Sequence, residues 1–191
     1  MVEDTASTHF VGYLRRHMQT NPETPPLALC VIDVEASGFG RGSYPIEVGF
    51  VLGDGRAHCT LVRPAAHWTH WDDGAGRLHG ITRTALEQHG RPAAAVAALL
   101  NQHLAGQVVY TDAWAHDYAW LATLYEEAEL SPHFKLESVV SLLDELRLSE
   151  LPPAQRKALT SLGLTRHRAS SDARALQMAL QQVRGLAHCV A

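Results

Sequence analysis

The 191-residue chain predicts one α/β domain: an antiparallel three-stranded meander followed by strand–helix units. Three observations carry this. Apolar, β-branched runs at 28–35, 45–53 and 56–64 are joined by short glycine-rich turns, the pattern of hairpin-linked strands. After Pro64 the spacing of apolar residues becomes helical, interrupted by further short strand-like runs. No internal repeat, low-complexity tract or linker divides the chain, and its length suits a single substantial core.

The elements follow in order. Residues 1–26 form an N-terminal extension: "ASTHFVGYLRRHM" has the spacing of a short amphipathic helix, and "TNPETPP" breaks it. The domain proper is 27–191. "ALCVIDVE" is the first strand, "GFGRGSY" a turn, "PIEVGFVLG" the second strand, and "GDG" a tight turn into "RAHCTLVRP", the third. "HWTHWDDGAGRLHGITRTALEQHG" reads as a long connection with short helical pieces. "PAAAVAALLNQHLAG" is a helix whose Val96, Leu99, Leu100 and His103 share helical spacing, with Gly106 as its stop. "QVVYT" is a fourth strand and 114–129 a helix that Asp112 is placed to cap. "KLESVVSLLDELRL" contains a short strand running into a helix, and Pro152 and Pro153 open another that ends near Gly163. Ser170 or Ser171 caps a last helix reaching about His188.

Composition excludes several function classes. The formal net charge of −4 argues against a protein that coats long nucleic acid by charge alone, though not against a pocket enzyme acting on it. Cys30, Cys59 and Cys189 are scattered, which disfavours a zinc site or a disulfide framework and suits a reducing cytoplasm. "MVEDTAST" is too acidic and polar for a signal peptide, and "PAAAVAALL" is too short to span a bilayer, so no membrane role is expected.

The first strand carries Asp33 and Glu35. Residues i and i+2 of a strand share a face, so the two carboxylates lie side by side, with Val31 deeper on that face. Adjacent carboxylates raise each other's pKa. Two accounts fit the pair alone: a strand end where solvent hydrates both, or a divalent cation that removes the conflict. Two further acids bear on the choice. Asp117 shares a helical face with Trp120, Leu121 and Leu124, a face that packs on the sheet. Asp172 heads the stripe Ala175, Leu176, Ala179, Leu180 and Val183, with His167 five residues before it. Capping accounts for Asp172 more easily than for Asp117.

Asp33-x-Glu35, then Asp117, then His167-x-x-x-x-Asp172, resembles the DEDDh group of 3′–5′ exonucleases, and "LHGIT" (78–82) is similar to a segment of its proofreading branch. Two positions depart from the pattern: Ser37-Gly38 stands where many members have Thr-Gly, and His116 replaces an apolar residue before Asp117. The resemblance implies a ribonuclease-H-like mixed five-stranded sheet flanked by helices, with 27–191 as the exonuclease domain. It implies a pair of Mg²⁺ or Mn²⁺ ions held by Asp33, Glu35, Asp117 and Asp172, with His167 as the base. The implied reaction is hydrolysis from the 3′ end of single-stranded DNA or RNA, releasing 5′-mononucleotides. Ser37, Gly38, Phe39, His79 and Ile81 are the expected substrate contacts. Trp68 and Trp71 are expected to form a flap on the domain in preference to a base-stacking site. Arg77, Arg83, Arg166 and Arg168 are candidates for backbone phosphates. The alternative is an inactive nucleic-acid-binding module of the same fold. A phosphate loop at "GFGRG" is disfavoured by the two carboxylates before it, and an aspartyl-phosphate phosphatase by Glu35 where Asp is needed. DNA or RNA, free enzyme or polymerase subunit, monomer or homodimer all stay open.

Overall fold

Residues 29–185 are described by the computed structural model. The expected N-terminal helix, Cys189 and the reach of the last helix to His188 lie outside them. β1 (Cys30–Ala36), β2 (Pro45–Val51) and β3 (Ala57–Leu61) form the meander, each pair antiparallel. β4 (Val108–Thr111) lies parallel to β1, and β5 (Lys135–Ser138) parallel to β4. The sheet order is β3-β2-β1-β4-β5.

Among the described residues six helices cover this sheet: α1 (Asp73–His79), α2 (Arg83–His89), α3 (Ala93–Leu104), α4 (Trp114–Glu127), α5 (Glu145–Leu162) and α6 (Ala169–Val183). Asp72 and Thr82 cap α1 and α2, accepting from the amides of Ala75 and Ala85. Both faces are covered, which is why β1 is apolar on both sides apart from Asp33 and Glu35. Ile32, Val34, Val48 and Phe50 pack with Val96 and Leu100 of α3 and Trp120, Leu121 and Leu124 of α4. Val31 and Val51 pack on the opposite face with Leu151 of α5 and Leu176, Leu180 and Val183 of α6. Asp33 and Glu35 share that second face with Val31. In the β1–β2 register Asp33 stands opposite Gly49, and Glu35 opposite Glu47.

Four expectations are corrected. Pro152 and Pro153 do not open a helix; they sit inside α5, which Asp144 starts by accepting from the Arg147 amide at 2.9 Å. Both prolines are exposed, so solvent can take up the carbonyls that lose an amide partner. The strand ending at Ser138 meets α5 only after a 3₁₀ turn, Val139–Ser141. Ser170 and Ser171 do not cap α6. They lie within its first turn, and Arg168 holds the cap position without a side-chain bond to the helix amides. Asp112 does not cap α4 either; Ala113 holds the cap position with no side-chain cap, and its own amide donates to Thr111 Oγ1 at 3.1 Å. The tryptophan flap is as expected: Trp68 is buried in the core and stacks on Tyr44 at 5.2 Å, while Trp71 packs against that core.

Candidate active site

The site forms at the end of β1, where β4 turns into α4 and α6 begins. Asp33 and Glu35 emerge half-buried from β1. Asp117, in the first turn of α4, is carried inward with Trp120 and Leu121 and is only 1 % exposed. One of its carboxylate oxygens accepts from the Thr111 hydroxyl; the other, Oδ1, is buried with no partner. Asp172, in the first turn of α6, accepts the His167 backbone N–H at 2.7 Å. That bond folds the preceding loop back, and His167 takes a φ of 61° to make it. One ligand-competent atom each of Glu35, His167 and Asp172 lies within 4.8 Å of the others.

Burial pushes the Asp33 carboxyl well up, and Asp117, Glu35 and Asp172 add repulsion. Glu35 is pushed up to about 7 by burial, then by Asp172 and Glu47, against the pull of Arg168. Asp117 is likewise pushed up to about 7, chiefly by burial, although the Thr111 hydroxyl bond works the other way. Burial raises Asp172 too, opposed by the His167 amide. Four carboxyls from three elements thus resist ionisation by crowding and desolvation. This donor set fits a hard divalent cation: oxygen-rich, and with an orphaned buried carboxylate oxygen that an ion would satisfy.

The expected substrate contacts are distributed unevenly. Phe39 is 67 % exposed, and its ring lies 5.0 Å from His116 and 5.8 Å from Trp120. Ser37 is buried, with its amide donating to the Tyr44 carbonyl and its hydroxyl accepting the Tyr44 amide at 3.1 Å. Gly38, at φ 138°, has no room for a side chain: an added Cβ would lie 2.6 Å from that of Asp72. His79 and Ile81 are both buried. The His79 Nδ1 accepts the Ile81 amide at 3.0 Å, which leaves the proton on Nε2, and that nitrogen has no partner. His116 is exposed and stacks on Trp120 at 5.6 Å, and it is not part of the Glu35–His167–Asp172 cluster.

Of the four arginines, Arg83 donates to the Trp68 and Thr69 carbonyls and Arg168 pairs with Glu47, so both are held within the protein. Arg77 is exposed on α1. Arg166 lines a cleft of ≈ 110 Å³ beside Asp33 and Asp172, together with Asp112, Gln155 and Arg156. Sequence reasoning missed this α5 wall. Asp112 faces the cleft and accepts from Gln155 Nε2 at 2.7 Å. It also missed Glu47, although a carboxylate inside the apolar strand "PIEVGFV" is the same kind of signal as Asp33 and Glu35.

No family model matches the chain, and no curated protein sequence matches it. Solved structures do. Exonuclease I of E. coli in complex with a dA16 oligonucleotide shares 14% identity over 81% of this chain and 40% of its own, with a TM-score of 0.61. The zinc-ion-bound form of the E. coli ExoI–ssDNA complex gives 15% identity, 82% and 40% coverage and a TM-score of 0.65. A moderately thermophilic Exonuclease I from Methylocaldum szegediense gives 16% identity, 81% and 40% coverage and a TM-score of 0.60. The chain thus spans about two fifths of the length of these structures. The shared fold is ribonuclease-H-like, as the sequence resemblance implies.

Proposed function

We propose that this chain is a divalent-metal-dependent 3′–5′ exonuclease that hydrolyses phosphodiester bonds at the 3′ end of single-stranded nucleic acid and releases 5′-mononucleotides. The observation that carries this reading is the convergence of Asp33, Glu35, Asp117 and Asp172 from three elements, with Asp117 Oδ1 buried and unpartnered. Ionising a carboxyl so placed is costly without a cation, which is why burial pushes it up to about 7. The similar structures include exonucleases bound to oligonucleotides, which supports the same class of chemistry.

In this reading the four carboxylates hold two Mg²⁺ or Mn²⁺ ions. Bound there, the ions supply Lewis acidity that lowers the pKa of water and offsets charge on the leaving 3′ oxygen. The chain does the rest. His167, facing Glu35 and Asp172, accepts a proton from the attacking water on an unprotonated ring nitrogen, a role typically worth about 10²–10⁴ in rate. Phe39 offers an exposed ring to the terminal base, a contact worth about 1–3 kcal/mol. Ser37 and Gly38 shape that loop through internal bonds and close packing. Arg156 and Arg166 place positive charge along the cleft wall, where a phosphate can meet it.

The test is incubation with end-labelled single-stranded DNA and RNA in Mg²⁺, in Mn²⁺ and in EDTA. Cleavage is expected in both metals and absent in EDTA. Undiminished turnover in EDTA, or binding without hydrolysis in either metal, contradicts the proposal; the latter result points to the inactive binding module.

A further inference from the structure

Glu47 is fully buried in the middle of β2, directly opposite Glu35. Its carboxylate accepts Arg168 Nη2 at 2.6 Å, Arg168 Nε at 3.1 and 3.2 Å, the Ala169 amide at 2.8 Å and the Cys59 thiol at 3.3 Å. Arg168 and Ala169 immediately follow His167, which has its left-handed φ of 61° in a region unfavourable for residues with a Cβ. The next same-face residue of β2, Gly49, leaves no room for a methyl: an added Cβ would stand 2.2 Å from the Ser170 amide nitrogen. β2 therefore seats the start of α6 by close backbone approach at Gly49 and fastens it at Glu47. Asp172 fastens the other side of the His167 loop through the 2.7 Å bond to the His167 amide.

We propose that Glu47 is a positioning residue: through Arg168 and the Ala169 amide it fixes the His167 loop so that the imidazole stays against Glu35 and Asp172. Its effect on rate rests on the exonuclease reading; its effect on His167 does not. A Glu47 that serves only as a helix cap would stabilise α6 without controlling the ring. The geometry favours control of the ring, because the bonds fall on the two residues that follow His167 in the chain and because Arg168 has no other ion pair among the described residues.

The experiment uses the full chain with Glu47→Gln, Arg168→Ala and Arg168→Lys, His167→Asn serving to assign the His167 ring signal by NMR. Glu47→Gln keeps an acceptor for the Ala169 amide and loses the charge. Arg168→Lys keeps a positive charge beside the buried Glu47 carboxylate, so it carries the test even where Glu47→Gln or Arg168→Ala fails to fold. Expected in metal-free Glu47→Gln and Arg168→Ala is a broadened or shifted His167 ring resonance, with the other histidines unchanged. With Mn²⁺ and single-stranded DNA, kcat is expected to fall by about 10²-fold at unchanged KM, the penalty of a misplaced group. Mn²⁺ affinity measured by calorimetry should hold within about threefold, because the carboxylates stay in place. Arg168→Lys should recover part of both the ring signal and kcat. An unperturbed His167 resonance in variants that only melt earlier overturns the proposal. So does an equal loss in Arg168→Lys and Arg168→Ala. If the wild-type chain cleaves nothing, the function reading fails while the ring resonance still decides the role of Glu47.

Discussion

Asp117 has one carboxylate oxygen on the Thr111 hydroxyl and the other buried without a partner. Asn at this position keeps the first contact and removes the charge. Asp117→Asn is therefore expected to abolish metal-dependent cleavage, yet to stabilise the metal-free protein by about 1–2 kcal/mol, or roughly 2–8 °C at this size. The sign with pH follows from the raised pKa. A carboxyl pushed up to about 7 in the fold contributes fully below its ordinary value and loses that contribution as pH rises through about 7. The stability gained by Asp117→Asn in EDTA should thus grow between pH 5 and pH 8, and thermal melts across that range check it. A gain that shrinks with pH contradicts the buried-acid picture. Histidine choice is testable at the same scale. His167→Ala is expected to lose about 10²–10⁴ in kcat, whereas His116→Ala, exposed on α4, should change it by less than about tenfold. Equal losses at the two positions in a parallel assay would show that the base was wrongly assigned. These residues were legible because each carboxylate breaks an apolar pattern. Ser37 was not: only the structure shows that its amide and hydroxyl are both engaged with Tyr44.

The start of α6 is the element on which the site depends most, and its sequence signals misled. Ser170 and Ser171 have the chemistry of an N-cap, but the Ala169 amide is taken by Glu47, 122 residues earlier. A cap from another strand leaves no local trace. The Pro152-Pro153 pair misled for a related reason: prolines mark helix starts, yet on an exposed face α5 runs through both. α4 was legible because Trp120 and Leu121 fix which face is buried, and Asp117 goes with them. Asp112, by contrast, was read as a cap and instead faces the cleft and meets Gln155. The close seat of α6 on β2 yields a prediction of its own. Gly49→Ala puts a methyl against the backbone of Ala169 and Ser170, which cannot yield as a flexible side chain can. It is expected to destabilise the protein by about 3 kcal/mol, at the upper end for overpacking, as measured by urea unfolding. A variant as stable as wild type would mean that α6 does not sit so close.

In the molecule as a whole, the sheet was the most legible feature. Three turn-linked apolar runs dictate the meander, and helices between the later strands dictate parallel pairing. The extent of a functional unit was less so, since the similar structures are about twice as long and residues 1–28 and 186–191 lie outside the described fold. What joins the scales is the proposed function: β1, α4 and α6 bring four carboxylates close together, and the proposal is that nucleic acid is trimmed there from its 3′ end. The direct measurement is a time course on single-stranded DNA labelled at its 5′ terminus, in Mn²⁺, resolved on a denaturing gel. The account predicts a ladder that shortens step by step while every band keeps the label, with the labelled nucleotide appearing last. Early release of the label as a mononucleotide, or internal fragments without a ladder, would contradict it.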